Sequence, residues 1–313
     1  MSHRPWGPKK QARAQRILKR RVMRVDASLG EFIIPFRLDE ELSLAGVVDV
    51  RVLRGHAEIW GAILRPSPEF TMVVAPPWAA LPRLRAIKSD SPEEICHEEA
   101  ADIRRFLEEH SSPTVVCFKI LCAKNDAGIA NLHAALLAPT THSRLRVHQA
   151  WPSLIDHVSA LHSAPSSCRA STLLVMGAKG VGKSSCCRFL VNSLLNLSGE
   201  VYYLETDIGQ PEIGVPGLVS LHRIIKPLLQ APHSEQHSHQ CVASFFVGGV
   251  TPAIHPELYI KCVRAAFDEY QKVCSACIDS VLPPLVVNSH GWATGLGFEL
   301  VRTILDVVAA QVV

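Results

Sequence analysis

Residues 177–184 read Gly-Ala-Lys-Gly-Val-Gly-Lys-Ser, a complete Gly-x-x-x-x-Gly-Lys-Ser pattern. This spacing serves anion binding by backbone. Gly177, Gly180 and Gly182 let the chain turn sharply, so that N–H groups along Ala178, Lys179 and Val181 can approach phosphate oxygens. A helix starting at Lys183 would add its N-terminal amides. Lys183 would reach the β- and γ-phosphates, and the Ser184 hydroxyl, with Ser185 beside it, would ligate Mg²⁺. The pattern implies a nucleoside-triphosphate site, with ATP and Mg²⁺ as the expected cofactors.

A second constellation follows in Tyr203-Leu-Glu-Thr-Asp-Ile-Gly-Gln-Pro-Glu212. An acid at the end of the second strand of such a domain is well placed to hold a metal or take a proton. Asp207 is therefore the candidate, with Glu205 two residues earlier on the same strand face. Helix N-cap is the competing role for Asp207. Gly209-Gln210 reads as a turn offering an amide to a phosphate or a water. His233, His237 and His239 could bind a metal, but the stretch shows no recurring zinc-ligand spacing.

The elements that must position these residues can be read from periodicity. Thr172–Met176 is a short apolar run ahead of the glycine loop, and 185–197 shows helical spacing behind it. From Ser171 onward, strands at 201–204, 242–247 and 284–288 alternate with helices at 183–197, 256–277 and 295–310. This predicts an α/β P-loop NTPase domain: a parallel sheet with helices on both faces. Residues 26–150 read as a β-rich N-terminal domain, with runs at 32–36, 45–53, 57–64, 71–75 and 115–121 separated by turn residues. A charged amphipathic helix at 92–110 would be inserted in it, and a further helix spans Trp151 to Leu161. The predicted organisation is thus a disordered basic arm at 1–25, a β-rich domain at 26–150 and a P-loop domain at 151–313.

Composition narrows the class. The 313 residues are 48% apolar, enough for two packed cores. No apolar run reaches the roughly 18–20 residues a spanning helix needs, and no apolar h-region marks a secretory signal, so no membrane association is expected. The ten cysteines show no recurring zinc spacing and are read as reduced thiols. The net charge of +3 hides a basic arm: Arg4, Lys9, Lys10, Arg13, Arg16, Lys19, Arg20, Arg21 and Arg24 precede the first acid. Such an arm reads as a nucleic-acid contact or a nuclear-import signal, against a partnerless solvated tail. No Asn-Lys-x-Asp base-reading motif supports a GTPase.

Five blocks in order give the chain a resemblance to the polynucleotide 5′-hydroxyl kinases of RNA processing. They are the Walker A loop, Tyr203–Gln210 with Pro216–Ser220, Phe245-Phe-Val-Gly-Gly-Val-Thr-Pro252, His255-Pro-Glu-Leu-Tyr259, and Asn288-Ser-His-Gly-Trp-Ala-Thr-Gly-Leu-Gly297. The Glu205 position and Ile208-Gly-Gln210 lean toward the nucleolar ribosomal-RNA branch. The resemblance covers residues 170–310 well and the β-rich part by general character. It implies ATP-dependent phosphorylation of RNA 5′-hydroxyl ends, a nuclear and nucleolar location, and a nuclease or other subunit of an RNA-processing complex as partner. It assigns Lys183 and Asp207 to catalysis, Ser184 and Asp207 to the metal, and Gln210 to the acceptor backbone. Trp292 would clasp the terminal nucleotides; packing under the following helix is its other reading. Ser289-His290 departs from the family's Thr-x. The family also carries a lid with paired arginines and a further C-terminal domain; the sequence reaches Val313 before either, so either the chain is a fragment of a longer one or the lid is lost. The alternative reading is then an ATP-binding scaffold subunit with impaired catalysis.

Overall fold

The computed structural model describes residues 23–26, 31–44, 46–75, 82–89, 101–109, 111–120, 147–163, 171–230, 239–277 and 282–309. It divides into two units, Met1–Arg146 with Leu229–Ala231, and Val147–Leu228 with Pro232–Val313.

Alternation dominates the first unit. Its elements are β1 (Met23–Asp26), β2 (Glu31–Phe36), β3 (Glu41–Ser43), β4 (Gly46–Arg54), β5 (His56–Ile59), β6 (Ala62–Leu64), β7 (Thr71–Ala75), β8 (Arg83–Ile87), α1 (Ala101–Glu109) and β9 (Thr114–Ile120). Two antiparallel sheets result, in the orders β1-β2-β9-β4-β7 and β3-β8-β5-β6. Along β4, Val48, Val50 and Val52 are buried while Val47, Asp49 and Arg51 are half-exposed, the period-two pattern of a sheet with one dry face. Helix α1 sets Ile103 and Leu107 into a core with Ile33, Leu53, Val115 and Cys117. Arg54 fastens the end of that helix, donating to the carbonyls of Leu107 (2.7 Å) and Ser112 (2.8 Å).

The β-rich expectation agrees with this unit, with differences. The run at 57–64 is two strands, because Trp60 and Gly61 take φ of 51° and 82° and form a tight hairpin turn. Strand β1 begins inside the stretch assigned to the basic arm; residues 1–22 lie outside the described residues. Of the predicted 92–110 helix, only 101–109 is helical among the described residues. The division between the units precedes Ala150, the first residue of the next helix.

That helix, α2 (Ala150–Ser163), opens the elements of the second unit. It is followed by β10 (Thr172–Val175), α3 (Lys183–Ser198), β11 (Val201–Glu205), β12 (Leu218–Ile224), β13 (His239–Phe246), α4 (Pro256–Ala276), β14 (Leu285–Asn288) and α5 (Leu296–Val308). Strand order is β10-β14-β11-β12-β13. The first three strands are parallel; β12 and β13 join antiparallel. The sheet is therefore mixed rather than wholly parallel, since the 206–217 connection from β11 to β12 is a loop without a crossover helix. Helices cover both faces, as the α/β P-loop reading requires. Leu174, Tyr202, Leu204, Leu285 and Val287 face α4 and α5 in one core with Tyr259, Val263, Leu300 and Ile304. The alternate residues face α3, where the Cys187 thiol donates to Asn288 Oδ1. Trp151 of α2 lies 5.7 Å from Phe189 of α3, ring to ring. All seven described cysteines are free thiols.

His222 on β12 is a buried polar group with an energetic consequence. Its Nε2 pairs with Ser220 Oγ at 2.8 Å, and its ring meets His239 edge-on at 5.1 Å. Burial, aided by His239, pushes its pKa down to about 4. Between that value and the ordinary one near 6.5 the unfolded chain binds the proton more readily than the folded one. Stability contributed by His222 is therefore fully present above pH 6.5 and is lost as pH falls toward 4, with a slope of at most about 1.4 kcal/mol per pH unit. Urea midpoints recorded from pH 4.5 to 7.5 should show a flatter acid limb in His222→Gln than in the wild type.

Candidate nucleotide and phosphoryl-transfer site

Three parallel strands end together, and the candidate residues sit on the loops beyond them. This is the crevice at carboxyl strand ends where α/β sheets bind ligands. The loop after β10 carries the glycine pattern. Gly180 and Gly182 have φ of 78° and 98°, and a methyl group on either would meet nothing within 4 Å. Glycine is needed there for the backbone angle alone, and the surroundings of the loop are open. Ala178, Lys179, Gly180 and Val181 are exposed, while Gly177, Gly182, Lys183, Ser184 and Ser185 are half-buried. No side chain caps α3 at Gly182, so its first amides are left for a ligand. Lys183 Nζ donates to the Ala178 carbonyl at 3.2 Å, folded along the loop it would serve.

The loop after β11 is organised by a buried acid. Glu205 is completely buried and accepts from Asp207 N–H (2.8 Å), Glu212 N–H (2.7 Å) and Asn288 Nδ2 (2.9 Å). Burial pushes its carboxyl up to about 8; the backbone donors and Asn288 oppose that shift, and the Asp207 charge adds to it. Glu212 is held in turn by Arg188 of α3. Asp207 is half-buried, and its Oδ1 accepts from Gly209 N–H (3.2 Å) and Gln210 N–H (3.0 Å). This is a local Asx-type turn, related to the capping role weighed from sequence, and it aims the carboxylate while leaving Oδ2 without a hydrogen-bond donor among the described residues. Gln210 is exposed. Gly209 fits tightly, because a Cβ there would stand 2.6 Å from the Val250 carbonyl.

The loop after β14 closes the third side. Thr206 N–H and Oγ1 both donate to the Asn288 carbonyl, at 3.0 and 2.7 Å. Ser289 Oγ donates to the Val175 carbonyl at 2.8 Å. Gly291 lies against the glycine loop, where a Cβ would fall 2.9 Å from Lys179 Cα. Trp292 is half-buried, and its ring sits over the first turn of α5, 2.3 Å from where a Gly297 Cβ would be. Of the two roles open to this residue, that contact is the packing one.

The residues offered for nucleotide and metal suit hard anions and hard cations. Two oxygen donors, Ser184 Oγ and the Asp207 carboxylate, match the sparse protein ligation of Mg²⁺, which keeps waters and phosphate oxygens as its other ligands. Among the described residues no group of three metal-ligating side chains occurs, and His233 and His237 lie outside them. No described helix is long and apolar enough to cross a membrane. Sequence reasoning placed Lys183, Ser184 and Asp207 here. It gave no role to Asn288, Arg188 and Glu212; Asn288 had the signal of a polar residue ending an apolar strand, and Arg188 and Glu212 had none.

Residues 177–313 match the family model described as the P-loop of mRNA cleavage and polyadenylation factor CLP1. A polynucleotide 5′-hydroxyl-kinase GRC3 of Gibberella zeae is 28% identical over 298 residues, covering 87% of this chain and 39% of the relative. A polynucleotide 5′-hydroxyl-kinase NOL9 of Arabidopsis thaliana is 34% identical over 164 residues, covering 52% and 43%. The chain thus spans about two fifths of the length of these relatives. Among solved structures, the wild-type Clp1p–Pcf11p complex matches with a TM-score of 0.55 at 15% identity, over 90% of this chain and 58% of the matched one. The shared fold is the P-loop architecture with a β-rich unit ahead of it.

The Glu205 network yields a stability prediction. Glu205→Ala leaves two backbone N–H groups and one amide without their acceptor, at about 1–3 kcal/mol for each group that stays unpaired. Urea denaturation should show a loss of about 2–5 kcal/mol, among the larger effects of a single substitution.

Proposed function

We propose, on the premise that this chain is a relative of the polynucleotide 5′-hydroxyl kinases, that it binds ATP–Mg²⁺ and transfers the γ-phosphoryl group to the 5′-hydroxyl end of RNA. The observation that carries the reading is that the Lys183 loop and the Asp207 turn leave the same end of two parallel strands, β10 and β11, which flank β14. Lys183 and the loop amides hold the phosphates, and Ser184 with Asp207 holds the metal. Bound Mg²⁺ would supply charge neutralisation of the triphosphate during transfer. Asp207 orients the attacking hydroxyl or accepts its proton while the O–Pγ bond forms and the bond to the ADP oxygen breaks. Gln210, exposed beside it, meets the acceptor backbone in this reading, and the half-exposed Trp292 meets the terminal nucleotides. The preference for a kinase over a passive nucleotide binder rests on Asp207, whose Oδ1 is held by the Gly209 and Gln210 amides while the carboxylate stays half-exposed.

The finer reading is pre-ribosomal RNA as substrate, a nucleolar location within the nucleus, and a nuclease or other processing subunit as partner. It is supported by the resemblance of Glu205 and Ile208-Gly-Gln210 to the nucleolar ribosomal-RNA branch and by the basic residues ahead of Met23.

Calorimetry should show ATP–Mg²⁺ binding that Lys183→Ala weakens at least tenfold; equal affinity would remove that lysine from the site. Asp207→Asn should keep ATP affinity within a few-fold while transfer to a 5′-hydroxyl RNA oligonucleotide falls by about 10²–10⁴. ATP binding by the wild type without transfer would favour the scaffold role instead.

A further inference from the structure

One buried polar atom at the site has no use in the mechanism above. His290, at the mouth of β14, is 4% exposed. Its Nδ1 accepts the Trp292 N–H at 3.3 Å. A neutral imidazole that accepts at one nitrogen carries its proton on the other, so Nε2 is a donor. That Nε2–H is shut off from solvent and has no acceptor among the described residues. Buried donors are almost always paired, and an orphan at a functional cleft points to a ligand.

The ring is held where a ligand would meet it. Tyr259 packs on it at 5.9 Å between centroids, and the Tyr259 hydroxyl is fixed by the Thr206 carbonyl at 2.9 Å. The next residue, Gly291, lies against Lys179 of the glycine loop. The charged side chains that act on the imidazole are Asp207 and Lys183. In this class of site the loop lysine reaches the β- and γ-phosphates, while the acid after the second strand serves the metal and the acceptor. A ring held toward the Asp207 turn through Tyr259 and Thr206, and toward the glycine loop through Gly291, borders the γ-phosphoryl group.

We infer that His290 is a further substrate-contacting residue, whose Nε2–H donates a hydrogen bond to a non-bridging oxygen of the γ-phosphoryl group of the bound nucleoside triphosphate. The inference rests on the nucleotide reading of the glycine loop. It makes His290 a discriminator between triphosphate and diphosphate, because ADP has no oxygen at that place. A neutral donor suits this position: it adds directional stabilisation to an anionic oxygen without the desolvation cost of another buried cation.

The test compares ATP and ADP affinities by calorimetry, each with Mg²⁺, for wild type, His290→Phe and His290→Gln. Phenylalanine keeps a ring against Tyr259 and removes the donor; glutamine restores an N–H at similar reach. The expected result is an ATP affinity about tenfold lower in His290→Phe, the loss of one hydrogen bond to a charged group, with ADP affinity unchanged and most of the ATP affinity recovered in His290→Gln. Thermal melts report whether each variant is folded. An unchanged ATP-to-ADP ratio in folded His290→Phe overturns the inference, including the case in which transfer slows and the donor serves Asp207 instead. Equal weakening of both nucleotides also overturns it and leaves His290 a packing residue. Failure of the wild type to bind ATP at all is a different outcome, which sinks the nucleotide reading itself.

Discussion

A single buried carboxylate organises the site. Glu205 is the last residue of its strand, and its two oxygens take the amides of Asp207 and Glu212 together with the Asn288 side chain. Without that acceptor the 206–212 loop would have to place two buried backbone donors elsewhere. With it, the loop has one conformation, and Asp207 points where the loop sends it. The same carboxylate ties β11 to β14 through Asn288, which also accepts from the Cys187 thiol of α3. The phosphate-loop helix, the Asp207 turn and the β14 loop are therefore one hydrogen-bonded assembly rather than three separate loops. Taking such a group out of water is costly, and the cost is visible in a carboxyl pushed up to about 8.

Close approach of backbones does the rest. Gly291 touches Lys179, and Gly209 touches Val250. At both points a methyl group would force a main chain to move, because the neighbouring atoms are backbone. The glycines of the phosphate loop serve a different need, since open space surrounds Gly180 and Gly182. The site thus uses glycine in two ways, for angle in the glycine loop after β10 and for proximity in the loops that brace it. Together they explain how short, polar, solvent-facing segments hold a defined geometry on a sheet whose strands are only four to eight residues long.

The two units divide the physics. Among the described residues, the first pairs its named strands antiparallel around alternating apolar faces, with α1 laid on a sheet. The second buries a core between sheet and helices on each face, and its chemistry lies at one end of three parallel strands. The match of the glycine loop and all that follows to the Clp1 P-loop family, and the structural match that extends over both units, agree with this division.

The sequence by itself determined the local chemistry. The Lys183–Ser184 spacing, the strand before it and the helix behind it are local patterns, and so are the helices at 256–276 and 296–308, because a 3.6-residue period needs no partner to be read. The β-rich character of the first unit was legible for the same reason. What sequence could not carry was every fact that depends on a strand's neighbour. Strand β12 was hidden inside a stretch read for its motif, and its antiparallel pairing made the sheet mixed. The hairpin at Trp60-Gly61 escaped notice because a tryptophan in a left-handed conformation has no sequence signal. Glu205 looked like a companion of Asp207 on a strand face, and became its support only once the chain turned at Thr206 and brought Glu212 back. Asn288 and His290 gained meaning from β14 lying between β10 and β11, an order no periodicity encodes. Pairing across a sheet is non-local, so the residues that chemistry requires were written in the chain, and the residues that aim them were decided by the fold.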